Sequence, residues 1–145
     1  MTKRKLLGDT DPAAYDTMLA FERYLAKTSL SKIHAELIKI RVSQINGCSF
    51  CIDKHVKDAL KIGEDPRRLF VLSAWKETPF FSKEERAILA LADAMTLIAQ
   101  QGVPDEIYNN ALDVLGQTYL TEVMMAIVAM NAWNRIGITT GREPQ

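Results

Sequence analysis

Apolar residues in this chain recur three and four positions apart, and residues that start or stop helices separate the repeats. The first repeat follows Asp11-Pro12, a capping residue with proline at the first helical position, and it consists of Ala14, Met18, Phe21 and Leu25. No segment alternates apolar and polar residues as a half-buried strand does. The pattern therefore predicts an all-α fold. The length of 145 residues, close to the usual domain size of roughly 150, predicts a single domain over residues 1–145.

The same criteria predict six further helices. Asn46-Gly47 ends the second helix, because asparagine and glycine tolerate the left-handed backbone of a helix end. Ser82 and Glu85 form a capping box that opens the fifth. The expected ranges are residues 31–46 (or from 29), 48–62, 65–75, 82–98, 104–115 and 121–136, with residues 76–81 as a linker.

The last helix contains eight consecutive apolar residues, 123–130. A helix that is apolar around its whole circumference is expected to be buried on all sides. Two explanations remain open: a central core helix, or a helix shared with a subunit interface.

Composition restricts what the chain can bind. The 18 Lys and Arg residues equal the 18 Asp and Glu residues, so the chain lacks the basic excess of a nucleic-acid-binding protein. Nothing favours docking on an anionic membrane, and the longest apolar run is far shorter than the roughly 20 residues of a bilayer span. The basic first residues lack the apolar stretch of a signal peptide. We therefore expect a cytoplasmic protein, whose two cysteines are better suited to chemistry than to a structural disulfide.

Both cysteines lie in one short segment, with a histidine on the same helical stripe. At about 100° per residue, Cys48, Cys51 and His55 fall together at the border between the apolar and charged faces of the third helix. Cys48 stands at, or one residue before, the helix N-terminus, where partial positive charge favours a thiolate. His55 can accept a thiol proton near neutral pH. A cysteine with a base in reach and a second cysteine to resolve the product is the minimal two-cysteine peroxidase or disulfide reductase.

A carboxylate is also placed to reach this stripe. If the second and third helices fold back on each other at Asn46-Gly47, Glu36 lies about 15 Å down one helix and His55 about 10 Å down the other. Glu36 is at the edge of an apolar stripe, where a carboxylate has a raised pKa or a specific partner. The spacing predicts a relay through Glu36, His55, Cys51 and Cys48.

Other interpretations remain open at this stage. Zinc could be bound by Cys48, Cys51, His55 and His34, although the spacing is not that of a usual zinc finger, and His34 is better explained as a surface or packing residue. Arg41 either holds an interior carboxylate or is solvated. Trp75 and Trp133 are expected in the core.

The segment from Glu36 to His55, with its Cys48-Ser-Phe-Cys51 motif, closely resembles the core of the AhpD-like alkylhydroperoxidases, which belong to the carboxymuconolactone decarboxylase superfamily. The glutamate, C-x-x-C and histidine at these separations are far more specific than C-x-x-C alone. The resemblance continues through residues 72–80 and 85–92 and through Asn131-Ala-Trp133-Asn134-Arg135, so it covers most of the chain.

The resemblance implies an all-helical protein that assembles as a homo-oligomer, a trimer or a hexamer. It also implies a peroxidase cycle that needs no cofactor. Cys51, deprotonated through His55 with Glu36 behind it, would attack a small hydroperoxide, and Cys48 would then form a disulfide with it. An external dithiol, lipoyl-linked in the best-known members, would reduce that disulfide.

One position departs from the family pattern. The well-known AhpD enzymes have a histidine immediately before the second cysteine, where this chain has Phe50.

Two alternatives to the peroxidase function remain open. One is a decarboxylase acting on a lactone, which does not depend on C-x-x-C. The other is a non-catalytic oligomeric protein whose thiols sense redox state or hold zinc.

Overall fold

The computed structural model describes residues 3–145, so Met1 and Thr2, the first residues of the segment considered for a signal peptide, lie outside the described residues. Every regular element within the described part is helical, which confirms the predicted all-α class. The elements are α1 (Leu7–Thr10), α2 (Pro12–Leu25), α3 (Lys32–Asn46), α4 (Ser49–Lys61), α5 (Pro66–Phe70), a 3₁₀ helix (Leu72–Glu77), α6 (Lys83–Thr96), α7 (Ile98–Gln101), α8 (Asp105–Leu115) and α9 (Gln117–Thr140).

The helices begin where the capping residues predict. The side chain of Asp11 accepts a hydrogen bond from the backbone of Ala14, 3.1 Å away, and Ser31 rather than Ser29 caps α3. Ser82 and Glu85 form the reciprocal capping box at the start of α6. Each cap satisfies backbone N–H groups that have no partner within the helix.

The expected helix over residues 65–75 is wrong in its second half. It ends at Phe70, and the chain continues as the 3₁₀ helix Leu72–Glu77. A 3₁₀ helix has three residues per turn, so Leu72 and Trp75 lie on the same side, and both are buried. The guanidinium of Arg86 donates to the carbonyls of Trp75, Lys76 and Thr78, which stabilises this tighter winding.

The central helix is α3, because it packs against α4, α6, α9 and the 3₁₀ helix. Its Leu37 and Ile40 belong to the apolar cluster beneath the 3₁₀ helix, whereas Ile38 and Val42 belong to the larger cluster shared with α4, α6, α8 and α9. Apolar residues on two sides of α3 therefore join the two halves of the core. Arg41, on the same helix, holds an interior carboxylate: its Nε lies 2.6 Å from Oδ1 of Asp93.

The expectation that residues 123–130 are buried on all sides is wrong for the single chain. Val128 is 45% exposed, because no helix among residues 3–145 covers that side of α9. The helix is also longer than predicted at both ends. The helix expected over residues 82–98 is also shorter than predicted. It ends at Thr96, and Ile98 is 58% exposed at the start of α7.

None of the helices in the described residues combines the length and apolarity needed to cross a lipid bilayer.

Candidate active site

The site is built on the hairpin of α3 and α4. The turn passes through Gly47, which has a φ of +73°, a backbone conformation that favours glycine. Apart from its two chain neighbours, none of the described residues has an atom within 4 Å of a Cβ built at this position, so the backbone angle and not crowding explains the glycine. The N–H of Cys48 then donates to the carbonyl of Ser43, which closes the turn and sets the start of α4.

The two cysteines occupy the first turn of α4 and are joined by a disulfide bond. Cys48 is the N-cap residue, and its sulfur accepts a hydrogen bond from the N–H of Cys51, 3.4 Å away. Both side chains are buried. At this helix start the N–H of Cys51 points toward the sulfur of Cys48, and a donor placed in this way stabilises a thiolate when the pair is reduced.

His55 and Glu36 form the predicted contact across the hairpin. Nδ1 of His55 lies 2.9 Å from Oε2 of Glu36, and Lys39 binds the other carboxylate oxygen at 3.0 Å. Burial alone would raise the pKa of the Glu36 carboxyl, but the hydrogen bond from His55 and the charge of Lys39 outweigh it and hold the pKa below its usual value. An ionised carboxylate only accepts hydrogen bonds, so Nδ1 of His55 carries the proton and Nε2 is the nitrogen free to accept another.

Asp58 adds a second carboxylate to this corner. Its Oδ2 lies 3.9 Å from Nδ1 of His55, and a hydrogen bond from Lys54 holds the pKa of Asp58 below its usual value. The possible metal-ligand atoms of Glu36, His55 and Asp58 lie within 4.8 Å of one another. Since Lys39 and Lys54 already neutralise the two carboxylates, this arrangement is better suited to orienting an imidazole than to binding a cation.

The four residues considered for zinc do not come together as a ligand group in the part of the chain that the structure describes. The ring of His34 makes a hydrogen bond of 2.7 Å with the hydroxyl of Tyr119. Burial lowers the pKa of His34 below its usual value, and the ring packs against Tyr119. The zinc hypothesis in that form is therefore wrong, and the interpretation of His34 as a packing residue is confirmed.

A cavity of about 500 Å³ opens beside the Cys48–Cys51 disulfide, and both Cys51 and His55 line it. Most of its remaining wall comes from α1, α2 and α9 and is apolar or aromatic, including Leu7, Tyr15, Leu19, Met130, Trp133 and Ile136. Trp133 packs, partly buried, against the larger core cluster as expected, and it also lines the cavity. Its ring N–H donates to Glu22 at 2.8 Å. At the edge of the cavity, the guanidinium of Arg142 stacks on the ring of Phe50 with 4.2 Å to the centroid.

A ladder of polar side chains fixes α9 against the hairpin, and sequence reasoning did not assign it a role. The side-chain amide of Asn46 donates to Oδ1 of Asn131 at 3.0 Å and to Oδ1 of Asn134 at 2.9 Å. The amide of Asn134, which is fully buried, donates to the hydroxyl of Ser43 at 2.9 Å. Two asparagines directly after the apolar run of residues 123–130 were the available signal, because a buried polar side chain needs a partner.

Comparison with known proteins agrees with this architecture. Residues 12–94, more than half of the chain, match the model of the carboxymuconolactone decarboxylase family. The chain belongs to the carboxymuconolactone decarboxylase family. Within this family it is AhpD-like, as its C-x-x-C hairpin and its structural relatives indicate.

Two similar proteins match this chain over 99% of its length. An uncharacterized protein of Bacillus subtilis (strain 168), YdfG, is 40% identical over 143 residues, which are 99% of this chain and 97% of that protein. A crystal structure from Agrobacterium tumefaciens has a TM-score of 0.96 at 33% identity, covering 99% of both chains. That protein is of unknown function, with a suggested role in antioxidant defence as an AhpD protein.

A more distant similarity is one of fold alone. The debrominase Bmp8, crystallised with 2,3,4-tribromopyrrole, has a TM-score of 0.84 over 94% of this chain and 73% of its own. At 15% identity, this similarity establishes a common fold and nothing about the reaction.

Proposed function

We propose that the protein is a thiol-dependent peroxidase in which Cys51 reacts with a small hydroperoxide and Cys48 resolves the product. The observation that carries this proposal is that Cys51 and His55 lie on the wall of the same cavity, with Nδ1 of His55 held by the carboxylate of Glu36. A thiol, a base and an orienting group in one cavity are the parts that nucleophilic catalysis requires.

The first step uses the His55–Glu36 pair. His55 takes the thiol proton of Cys51, and the carboxylate of Glu36 stabilises the imidazolium that forms. The thiolate attacks the outer peroxide oxygen, so a sulfur–oxygen bond forms while the oxygen–oxygen bond breaks. The alcohol leaves with the proton returned by His55, and Cys51 is oxidised to the sulfenic acid.

The second step uses the short separation of the cysteines. The thiolate of Cys48 attacks the sulfenic sulfur of Cys51, a sulfur–sulfur bond forms, and the sulfenic oxygen leaves as water after taking up a proton. The product is the disulfide that joins the two residues in this structure. Cys48 suits this role because the N-terminus of α4 and the N–H of Cys51 favour its thiolate.

The cycle closes when an external dithiol, of the lipoyl type or another, exchanges with the disulfide and becomes oxidised itself. The protein needs no resident cofactor for these steps. Phe50 stands where the well-known AhpD enzymes have histidine, and its side chain cannot carry a proton. In this protein the proposed relay therefore consists of His55 and Glu36. We further propose that the working protein is a cytoplasmic homo-oligomer.

The proposal is tested by following peroxide consumption with a dithiol reductant in the wild type, Cys51→Ser and Cys48→Ser. We expect Cys51→Ser to be inactive. Cys48→Ser should complete one turnover and accumulate a sulfenic acid that dimedone traps, because nothing resolves it. Equal turnover in all three proteins would refute the mechanism. Lactone decarboxylation that survives mutation of both cysteines would favour the decarboxylase alternative instead.

A further inference from the structure

Gly137 lies within α9, where a glycine is less favourable for helix stability than alanine. It is not required for a turn, because it is not among the glycines with positive φ. The helix ends only at Gly141, which has a φ of +66°. The missing side chain of Gly137 therefore needs another explanation.

The surroundings of Gly137 supply that explanation. A Cβ atom added there would lie 3.5 Å from Sγ of Cys48 and 3.7 Å from Sγ of Cys51. Within residues 3–145, no other atom outside the neighbouring backbone of α9 would lie within 4 Å. The glycine thus keeps open the space beside the two sulfurs and does not serve a close approach between helix backbones.

The disulfide itself does not require this space. Separations of 3.5 and 3.7 Å are ordinary van der Waals contacts, so a methyl group would fit against the oxidised pair. The other states of the cycle need more room. Once the bond is reduced, the sulfurs must separate, and the sulfenic acid adds an oxygen to Cys51. Cys51 and Gly137 line the same cavity, so the space beside Gly137 is continuous with the route by which substrate arrives.

We propose that Gly137 is a specificity-determining residue, which keeps open the space through which the outer oxygen of a hydroperoxide reaches the sulfur of Cys51. This inference rests on the proposed peroxidase function and deepens it by naming the residue that limits substrate bulk. A methyl group at this position hinders a hydroperoxide with a branched carbon beside the oxygens more than it hinders hydrogen peroxide, because the branched carbon must approach the same corner.

The test compares Gly137→Ala with Gly8→Ala, a matched control. Gly8 also lines the cavity, and its added Cβ would contact Tyr15 at 3.5 Å, away from the sulfurs. Rates of oxidation of the reduced proteins are measured with hydrogen peroxide and with cumene hydroperoxide. We expect Gly137→Ala to slow the cumene reaction by about tenfold or more and the hydrogen peroxide reaction much less. Gly8→Ala should not change the ratio of the two rates.

A second measurement separates this inference from the peroxidase proposal. In a Cys48→Ser background, Cys51 is alkylated with iodoacetamide, which is small, and with N-ethylmaleimide, which is bulky. If the wild type consumes no peroxide but Gly137→Ala selectively slows the maleimide, the proposed function fails and the role of Gly137 stands. An unchanged ratio in both assays overturns the inference, and so does the same change of ratio in Gly8→Ala. A Gly137→Ala protein that cannot fold and form the disulfide also overturns it, because the geometry accommodates the methyl group in that state.

Discussion

Replacing Glu36 with glutamine tests the centre of the proposed mechanism. The substitution keeps the shape of the side chain but removes the negative charge that faces Nδ1 of His55 at 2.9 Å. The side chains of Glu36 and His55 are only 13% and 12% exposed, so water replaces little of the lost interaction. The imidazolium that forms when Cys51 is deprotonated should lose most of the stabilisation that the carboxylate provides.

The size of the effect follows from the type of bond. A hydrogen bond to a charged group contributes about 1.5–3 kcal/mol, and each 1.36 kcal/mol in a barrier is about tenfold in rate. We therefore expect Glu36→Gln to slow the reaction of Cys51 with peroxide by about ten- to a hundredfold at pH 7. The midpoint of the curve relating thiol alkylation rate to pH should move to higher pH, because the thiolate–imidazolium pair is less stable.

Glu22→Gln is the matched control for this measurement. Glu22 is another carboxylate in the cavity that accepts a hydrogen bond from a ring N–H, that of Trp133, but it has no contact with His55. Its substitution should leave the alkylation midpoint in place, whatever it does to substrate binding. If Glu36→Gln gives the same rate and the same midpoint as the wild type, Glu36 has no part in the relay.

Three further predictions concern stability and assembly. Asn134→Ala removes one buried and one partly buried hydrogen bond and should lower the free energy of unfolding by about 2–3 kcal/mol in urea titrations. The substitution of the exposed Asn110 by alanine is the control, and equal effects would show that the polar ladder contributes nothing. Because the pKa of Glu36 is lowered in the fold, its carboxylate stabilises the protein above its unfolded pKa of about 4.3, and this contribution is lost as pH falls through the lowered value. The stability difference between the wild type and Glu36→Gln should thus shrink on acidification, and a constant difference would contradict the cause given for the shift. Val128 is exposed within the apolar residues 123–130, so we expect sedimentation to show a trimer or a hexamer. Val128→Glu should weaken that assembly. A stable wild-type monomer would rule out an interface role for these residues.

Local geometry accounts for what sequence reasoning obtained correctly. Cys51 and His55 share a face through the regular rotation of α4, and Cys48 is its N-cap residue only three positions before Cys51, so their common stripe could be predicted. The caps at Asp11 and Ser82 are equally local, because each side chain accepts a hydrogen bond from the backbone N–H three residues along the chain. The same reasoning was wrong at Ile98, where a continuing apolar pattern concealed the end of α6 at Thr96.

The contact between His55 and Glu36 is an intermediate case. The two residues are separated by 19 positions across one tight turn, so helix rise and the glycine signal were enough to anticipate it. What could not be anticipated was the state of Glu36. Whether burial or the neighbouring charges control its pKa depends on the packing around it, and Lys39 and His55 together outweigh burial.

The sequence by itself determined the helical class, the capped starts of α2, α3 and α6 and the thiol–histidine stripe on α4, because each depends on residues within a few positions of one another. Only the tertiary structure decided what surrounds that stripe. The cavity requires α1, α2 and α9 to converge on α4, and the ladder from Asn46 to Asn134 joins residues 88 positions apart. The space kept open by Gly137 exists only after α9 has packed beside the sulfurs. Such contacts result from the combined packing of the whole core, and no local pattern encodes them.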